Sequence, residues 1–156
     1  MTDFKQYGDI VYKIIGASMK VHAVMGWGLL EPLYNEALFL ELSDRGVDSC
    51  PEQLLPCFYK EHRMEKYYRM DLVVEDVVVE LKAVAEILPV HRAQLFNYLR
   101  LTKKPIGLLI NFGGEHLQGE RYGYDAETNE CVLLDKDMDS VYGEIDEDYD
   151  YNPDNS

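Results

Sequence analysis

The sequence predicts a mixed α/β domain in which helices pack on a central sheet. Three observations predict it. Apolar residues recur at three- and four-residue steps through the N-terminal segment. Two valine-rich runs then flank the acidic pair Glu75-Asp76. A further helical stretch leads into Ile106-Gly107-Leu108-Leu109-Ile110-Asn111-Phe112, an apolar run of strand length. The resulting order is helix, helix, strand, strand, strand, helix, strand.

Tyr7 to Val24 reads as a helix, with Ile10, Val11, Ile14, Ile15, Ala17 or Met19, and Val21 at helical steps. Met25-Gly26-Trp27-Gly28 breaks it. A second helix begins near Leu30 or Glu31, with Pro32 in its first turn, where a missing N–H costs little. Leu33, Ala37, Leu38, Leu40 and Leu42 supply its apolar side, and Gly46 suits the position just past its end. Gln53 to Lys60 reads as a strand, and Pro56 marks it as an edge strand or a bulge. Glu61 to Lys66 is a polar connection. Tyr67 to Val74 and Val77 to Ala83 form a hairpin turned by Glu75-Asp76. A helix from about Val90 to Leu101 follows Pro89, and Thr102-Lys103-Lys104-Pro105 is a turn. Ile106 to Phe112 is a strand buried on both sides, ended by Gly113-Gly114. Tyr122 to Tyr124 and Cys131 to Leu134 pair as a small terminal hairpin.

The chain suits one domain large enough to bury a real core. No run approaches the roughly 20 apolar residues of a membrane span, and the acidic N-terminus with Asp3 and Asp9 is not a secretory signal. Cys50, Cys57 and Cys131 show neither metal spacing nor an even count. Reduced cysteines in a cytoplasmic protein are expected. The net charge of −14 is unevenly spread. From Asp125 onward there are 12 Asp and Glu against one Lys, whereas residues 1–124 are near balance at −3. The expected division is therefore a domain at 1–124 and an acidic extension at 125–156, disordered from about residue 143.

The hairpin carries the chemistry. A two-residue turn at Glu75-Asp76 sets Val74 opposite Val77, Val73 opposite Val78, Leu72 opposite Val79 and Asp71 opposite Glu80. Period-two alternation then gives one wholly apolar face of Leu72, Val74, Val77, Val79 and Leu81. The other face carries Asp71, Val73, Val78, Glu80 and Lys82. Directly opposed carboxylates repel, and a divalent cation compensates them. Mg²⁺ takes carboxylate oxygens and keeps waters that a phosphate can replace. The competing reading is a solvated sheet face.

Two more groups of residues bear on that pair. His91, Gln94 and Tyr98 lie on one face of the helix after Lys82. Gly28-x-x-Glu31-x-x-Tyr34 follows His22, with Glu31 at a helix start, where a carboxylate is favoured by the helix dipole. On local grounds these are equally a wet helix side, a good helix-start residue and a packed or surface histidine.

Taken together these segments resemble the GxxExxY family, which is placed in the PD-(D/E)XK nuclease superfamily. The resemblance rests on Gly28 to Tyr34, on Asp71 with Glu80-Leu81-Lys82-Ala83-Val84, on Leu88 to Leu99, and on Gly107 to Phe112. It runs from about Phe4 to Gly113, and Gln94-x-x-x-Tyr98 resembles the QxxxY motif of the RecB-like branch. It implies a restriction-endonuclease-like core, a mixed central sheet flanked by helices. It further implies that Asp71 and Glu80 hold Mg²⁺ or Mn²⁺, with Glu31 and His22 as further ligands. Lys82 would position or help deprotonate the attacking water, and Gln94 and Tyr98 would handle the scissile phosphate or the nucleophile. Arg69 and Arg92 belong to a basic patch for substrate.

The implied activity is hydrolysis of phosphodiester bonds in DNA, with RNA as the other substrate, by in-line attack of metal-activated water. The alternative is a non-catalytic member of the fold that binds nucleic acid or protein. An interaction protein whose acidic tail mimics nucleic acid is a further rival. A homo-oligomer or a protein partner stays open, and a membrane role is not expected.

Overall fold

The computed structural model describes residues 3–141. A 3-10 turn at Phe4–Tyr7 is capped by Asp3, whose carboxylate accepts the Lys5 N–H at 3.0 Å. Helix α1 (Gly8–Met25) buries Val11, Ile14, Ala17, Ser18 and Val21 at helical steps, and Met19 is left exposed. Helix α2 (Glu31–Asp44) buries Tyr34, Leu38 and Leu42. Leu33 and Leu40, expected on its apolar side, face solvent instead, because the helix packs along a four-residue row. At its end Gly46 takes φ +75°. The Gly46 N–H reaches the Ser43 carbonyl at 3.0 Å and the Val47 N–H reaches that of Leu42 at 2.9 Å, a Schellman ending.

Six strands form one sheet in chain order: β1 (Cys50–Tyr59), β2 (His62–Val74), β3 (Val77–Lys82), β4 (Ile106–Asn111), β5 (Gln118–Asp125) and β6 (Glu130–Leu134). Helix α3 (Pro89–Thr102) carries the chain from β3 to β4, which run parallel, and every other neighbouring pair is antiparallel. β1 is the edge strand, and its register slips between Pro56 and Phe58, so Pro56 marks both an edge and a bulge.

Two expectations need correction. Glu61 to Lys66 is not a connection, since β2 starts at His62 and runs through it. Its residues are exposed on both faces, so no alternation of apolar and polar residues betrays a strand there. The terminal hairpin is neither small nor separate, since β5 pairs along the whole of β4 and β6 pairs with β5. The sheet thus continues past residue 124, and Met138 lies in the core. One acid of this stretch closes a turn: the Asp135 carboxylate accepts the N–H groups of Asp137 and Asp139 at 2.9 and 3.0 Å. The segment from about residue 143, expected to be disordered, lies outside the described residues.

The sheet has a hydrophobic layer on each face. α1 and α2 cover one, where Ile14, Ala17, Leu38 and Leu42 meet Leu72, Val74, Val77, Val79 and Leu81. This is the apolar face that the hairpin register predicts. α3 covers the other through Leu95, Tyr98 and Leu99, which meet Met70, Val73, Val78 and Leu109. β4 is buried along its whole length, as its unbroken apolar run requires. The second face of the hairpin is therefore under a helix and not a wet surface. Among the described residues no helix is long and apolar enough to cross a membrane.

Candidate active site

The β2–β3 ladder runs Val74–Val77, Val73–Val78 and Leu72–Val79, and then stops. Asp71 and Glu80 come next, as the register predicts, but here side chains take over from backbone pairing. Glu80 Oε1 accepts the Asp71 N–H at 3.3 Å, and Asp71 Oδ2 accepts the Leu81 N–H at 2.9 Å. The two carboxyls thus fill the place where the strands part. Alternation breaks at the same point: Met70 joins the layer under α3, whereas Leu72 joins the opposite layer.

Glu80 is 2% exposed. Burial first, and then the charge of Asp71, push its carboxyl up to about 8, while Lys82 pulls the other way. Burial also raises Asp71, against the pull of the Leu81 N–H and Lys82. The pair therefore retains a proton near neutral pH that a cation can displace. Glu31, at the start of α2, is raised by burial and then by Asp71, with Lys82 opposing. It shares the field of the pair.

Lys82 extends from the end of β3. Its Nζ lies 3.6 Å from Glu80 Oε2 and donates to Gln94 Oε1 at 3.2 Å. Gln94 Nε2 in turn donates to Tyr98 Oη at 2.9 Å. Burial, and then the Glu80 charge, raise the Tyr98 phenol, which keeps its proton. A hydrogen-bonded line thus runs from α3 to Lys82, and an ion pair carries it on to Glu80. His91, on the same helix row, has a capping role: its Nδ1 accepts the Leu88 N–H at 2.9 Å at the start of α3.

Mg²⁺ commonly needs only one or two carboxylates and retains waters, so Asp71 and Glu80 with their shared proton fit such an ion. The wider ligand set does not assemble. Among the described residues no group of three or more His, Cys, Asp or Glu is placed to hold a metal. His22, expected as a further ligand, points its Nε2 at the Gly114 carbonyl at 2.9 Å, with its ring tilted against Phe112. Facing a carbonyl, that nitrogen must carry the proton and cannot ligate.

The two arginines part company. Arg69 is exposed on β2, 3.6 Å from Glu52. Arg92, expected to meet substrate, is buried, and its Nε and Nη2 grip Glu120 at 2.8 and 3.0 Å. Tyr122 donates to the same carboxylate. Arg92 is thereby a structural group tying α3 to β5.

Sequence reading missed Asn111, fully buried at the end of β4 beside Lys82. Its amide nitrogen donates to the Val84 carbonyl at 3.0 Å, and its oxygen accepts the N–H groups of Val84 and Gly113, both at 3.0 Å. This clamp holds the chain that leaves Lys82. One polar amide in a wholly apolar run was the available signal. A Cβ on Gly113 would collide with the Val84 backbone. Gly113→Ala is therefore expected to cost about 1–3 kcal/mol, read by thermal unfolding. An unchanged melting temperature would show that the clamp is slack.

A central parallel pair inside a mixed sheet, with acids and a lysine where a hairpin opens, defines a nuclease-type fold. The chain belongs to the PD-(D/E)XK nuclease superfamily, whose family model matches residues 8–122. The mixed sheet and flanking helices agree with the restriction-endonuclease-like core expected of that superfamily. Among solved structures the chain is similar to the crystal structure of SSO0001, at 17% identity and a TM-score of 0.49. That match covers 80% of this chain, which spans 64% of the other. No curated protein matches.

Proposed function

We propose that the chain is a Mg²⁺- or Mn²⁺-dependent nuclease of the GxxExxY type, hydrolysing phosphodiester bonds of DNA, with RNA as the other candidate substrate. The observation that carries this reading is the Asp71–Glu80 pair at the opening of β2 and β3, with Lys82 3.6 Å from Glu80. Buried, mutually repelling carboxylates weaken a fold unless something positive joins them. A bound divalent ion supplies Lewis acidity toward water and the phosphoryl oxygens. Asp71 and Glu80 would hold it, and Glu31 adds negative charge nearby. Lys82 is held by Gln94 at 3.2 Å and offers its ammonium to charge that develops on phosphate. Tyr98 keeps its proton and would donate a hydrogen bond to a phosphate oxygen or to the attacking water. Arg69 is the exposed cation beside the site on β2.

The test is purified protein with Mn²⁺ against linear duplex, circular duplex, single-stranded DNA and RNA, with Glu80→Ala as control. Cleavage by the parent and none by the variant is expected. In parallel, Mg²⁺ or Mn²⁺ is expected to raise the melting temperature, with most of the rise absent in Glu80→Ala. Metal binding without turnover on any substrate would support the non-catalytic alternative instead.

A further inference from the structure

β2 pairs with β3 only over Leu72–Val74, so His62 to Arg69 pair with β1 alone, and β1 is the edge of the sheet. This part of the hairpin is a two-stranded arm, and every residue from His62 to Arg69 is exposed. Isolated two-stranded ribbons are marginal, yet this one holds large side chains open to solvent. Its charge is also unlike the rest of the chain. Lys60, Arg63 and Lys66 outnumber Glu61 and Glu65 on its outer part, and at its root Arg69 lies 3.6 Å from Glu52, in a protein of net charge −14.

The register sorts the arm into two sides. Tyr59 pairs with His62 and Leu55 with Tyr68. Tyr59, His62 and Tyr68 therefore share the side that runs on to Met70 under α3, while Met64 to Lys66 lie in the slip opposite Pro56 and Phe58. At the arm's root Tyr68 meets Tyr98 edge-on, with ring centroids 5.5 Å apart. A groove of about 350 Å³ opens there between Tyr68 and the His91, Gln94 and Asn97 face of α3. Gln94 is the residue that holds Lys82. At the outer end Lys60 Nζ lies 5.5 Å from the Tyr59 ring centroid.

We infer that this side of the arm, with the groove at its root, binds an unpaired nucleic-acid strand and leads it to Lys82. Tyr68 and Tyr59 stack bases and Lys66 meets phosphate. The inference rests on the nuclease reading for what the strand then meets. A duplex hides its base faces, so exposed rings gain little from it, whereas a single strand offers a face to each. Cationic side chains among them answer the phosphate charge.

The test uses the full chain in EDTA, where cleavage cannot intervene, and a labelled single-stranded oligonucleotide followed by fluorescence anisotropy. Tyr68→Ala and Tyr59→Ala are each expected to weaken binding by about 5- to 150-fold. Lys66→Ala is expected to lower the slope of log affinity against log salt by about 0.7. Tyr12→Ala, an exposed tyrosine on α1, should bind as the parent does. Tyr59 is exposed at the arm's outer end, so its variant keeps the test valid if Tyr68→Ala unfolds. Parent-like affinity in both tyrosine variants would overturn the inference. So would equal affinity for duplex, or a dimer that Tyr59→Ala dissolves in a chain that binds no strand. Strand binding without Mn²⁺-dependent cleavage would overturn the nuclease reading and leave the arm's role standing.

Discussion

Glu80→Gln is expected to melt at a higher temperature than the parent chain in metal-free buffer near pH 9, and to lose cleavage by about 10³-fold. The two effects share one cause. In the folded chain the Glu80 carboxyl titrates near 8, raised by burial and by Asp71, whereas the unfolded chain binds that proton with an ordinary carboxyl pKa near 4.3. A raised folded-state pKa favours the fold in its protonated form. The stability it contributes is fully present below about pH 4.3 and is lost as pH rises through about 8, on the order of a few kcal/mol in all. Melting curves of the parent in EDTA should therefore fall between pH 5 and 9 more steeply than those of Glu80→Gln, which has no charge to bury. Saturating Mg²⁺ or Mn²⁺ should reverse the difference, since an ion binds the deprotonated pair. Parallel curves for the two proteins, or a variant that still cuts, would reject the metal-site reading.

Glu120→Ala and Arg92→Ala are each expected to destabilise the fold by about 3–5 kcal/mol, lowering the melting temperature on the order of 10–20 °C. The Arg92 and Glu120 side chains are 7% and 1% exposed, and they bond through two contacts at 2.8 and 3.0 Å. Removing one partner strands a buried charge, and loss of Glu120 also orphans the Tyr122 hydroxyl. The double change Arg92→Met with Glu120→Met should cost less than either single change, because no unpaired charge remains. A residue that touched only substrate would behave otherwise: Arg92→Ala would raise KM and leave the melting curve in place. That result would return Arg92 to the substrate patch.

Between these two sites lies a division in what could be read from the chain. The Asp71–Glu80 facing, the apolar side of the hairpin and the row of Gln94 and Tyr98 all follow from short-range periodicity. A two-residue turn sets register for a whole hairpin, and α3 follows that hairpin within a few residues. The outer half of β2 from His62 to Lys66 gives no such signal, because a ribbon wet on both faces has no reason to alternate. β5 extends further back than its sequence suggests for a related reason: Gly119 and Glu120 interrupt β propensity where burial against β4 overrides it. The acids after residue 124 suggest a tail, yet two of them, Asp125 and Asp135, close the turns on either side of β6.

By itself, the sequence determined the element order, the register that brings two carboxylates together, and the helix face that meets Lys82. Each depends on residues near one another along the chain, where turn geometry and periods of 2 and 3.6 leave few options. Tertiary structure alone decided which long polar side chains are used and which are buried. It turned His22 to the Gly114 carbonyl 92 positions away, Asn111 to Val84 and Gly113, and Arg92 to Glu120 across 28 positions. A flexible, charged side chain carries no period. Its partner is whichever group the packing of α3 on β5, or of α1 beside β4, leaves without water.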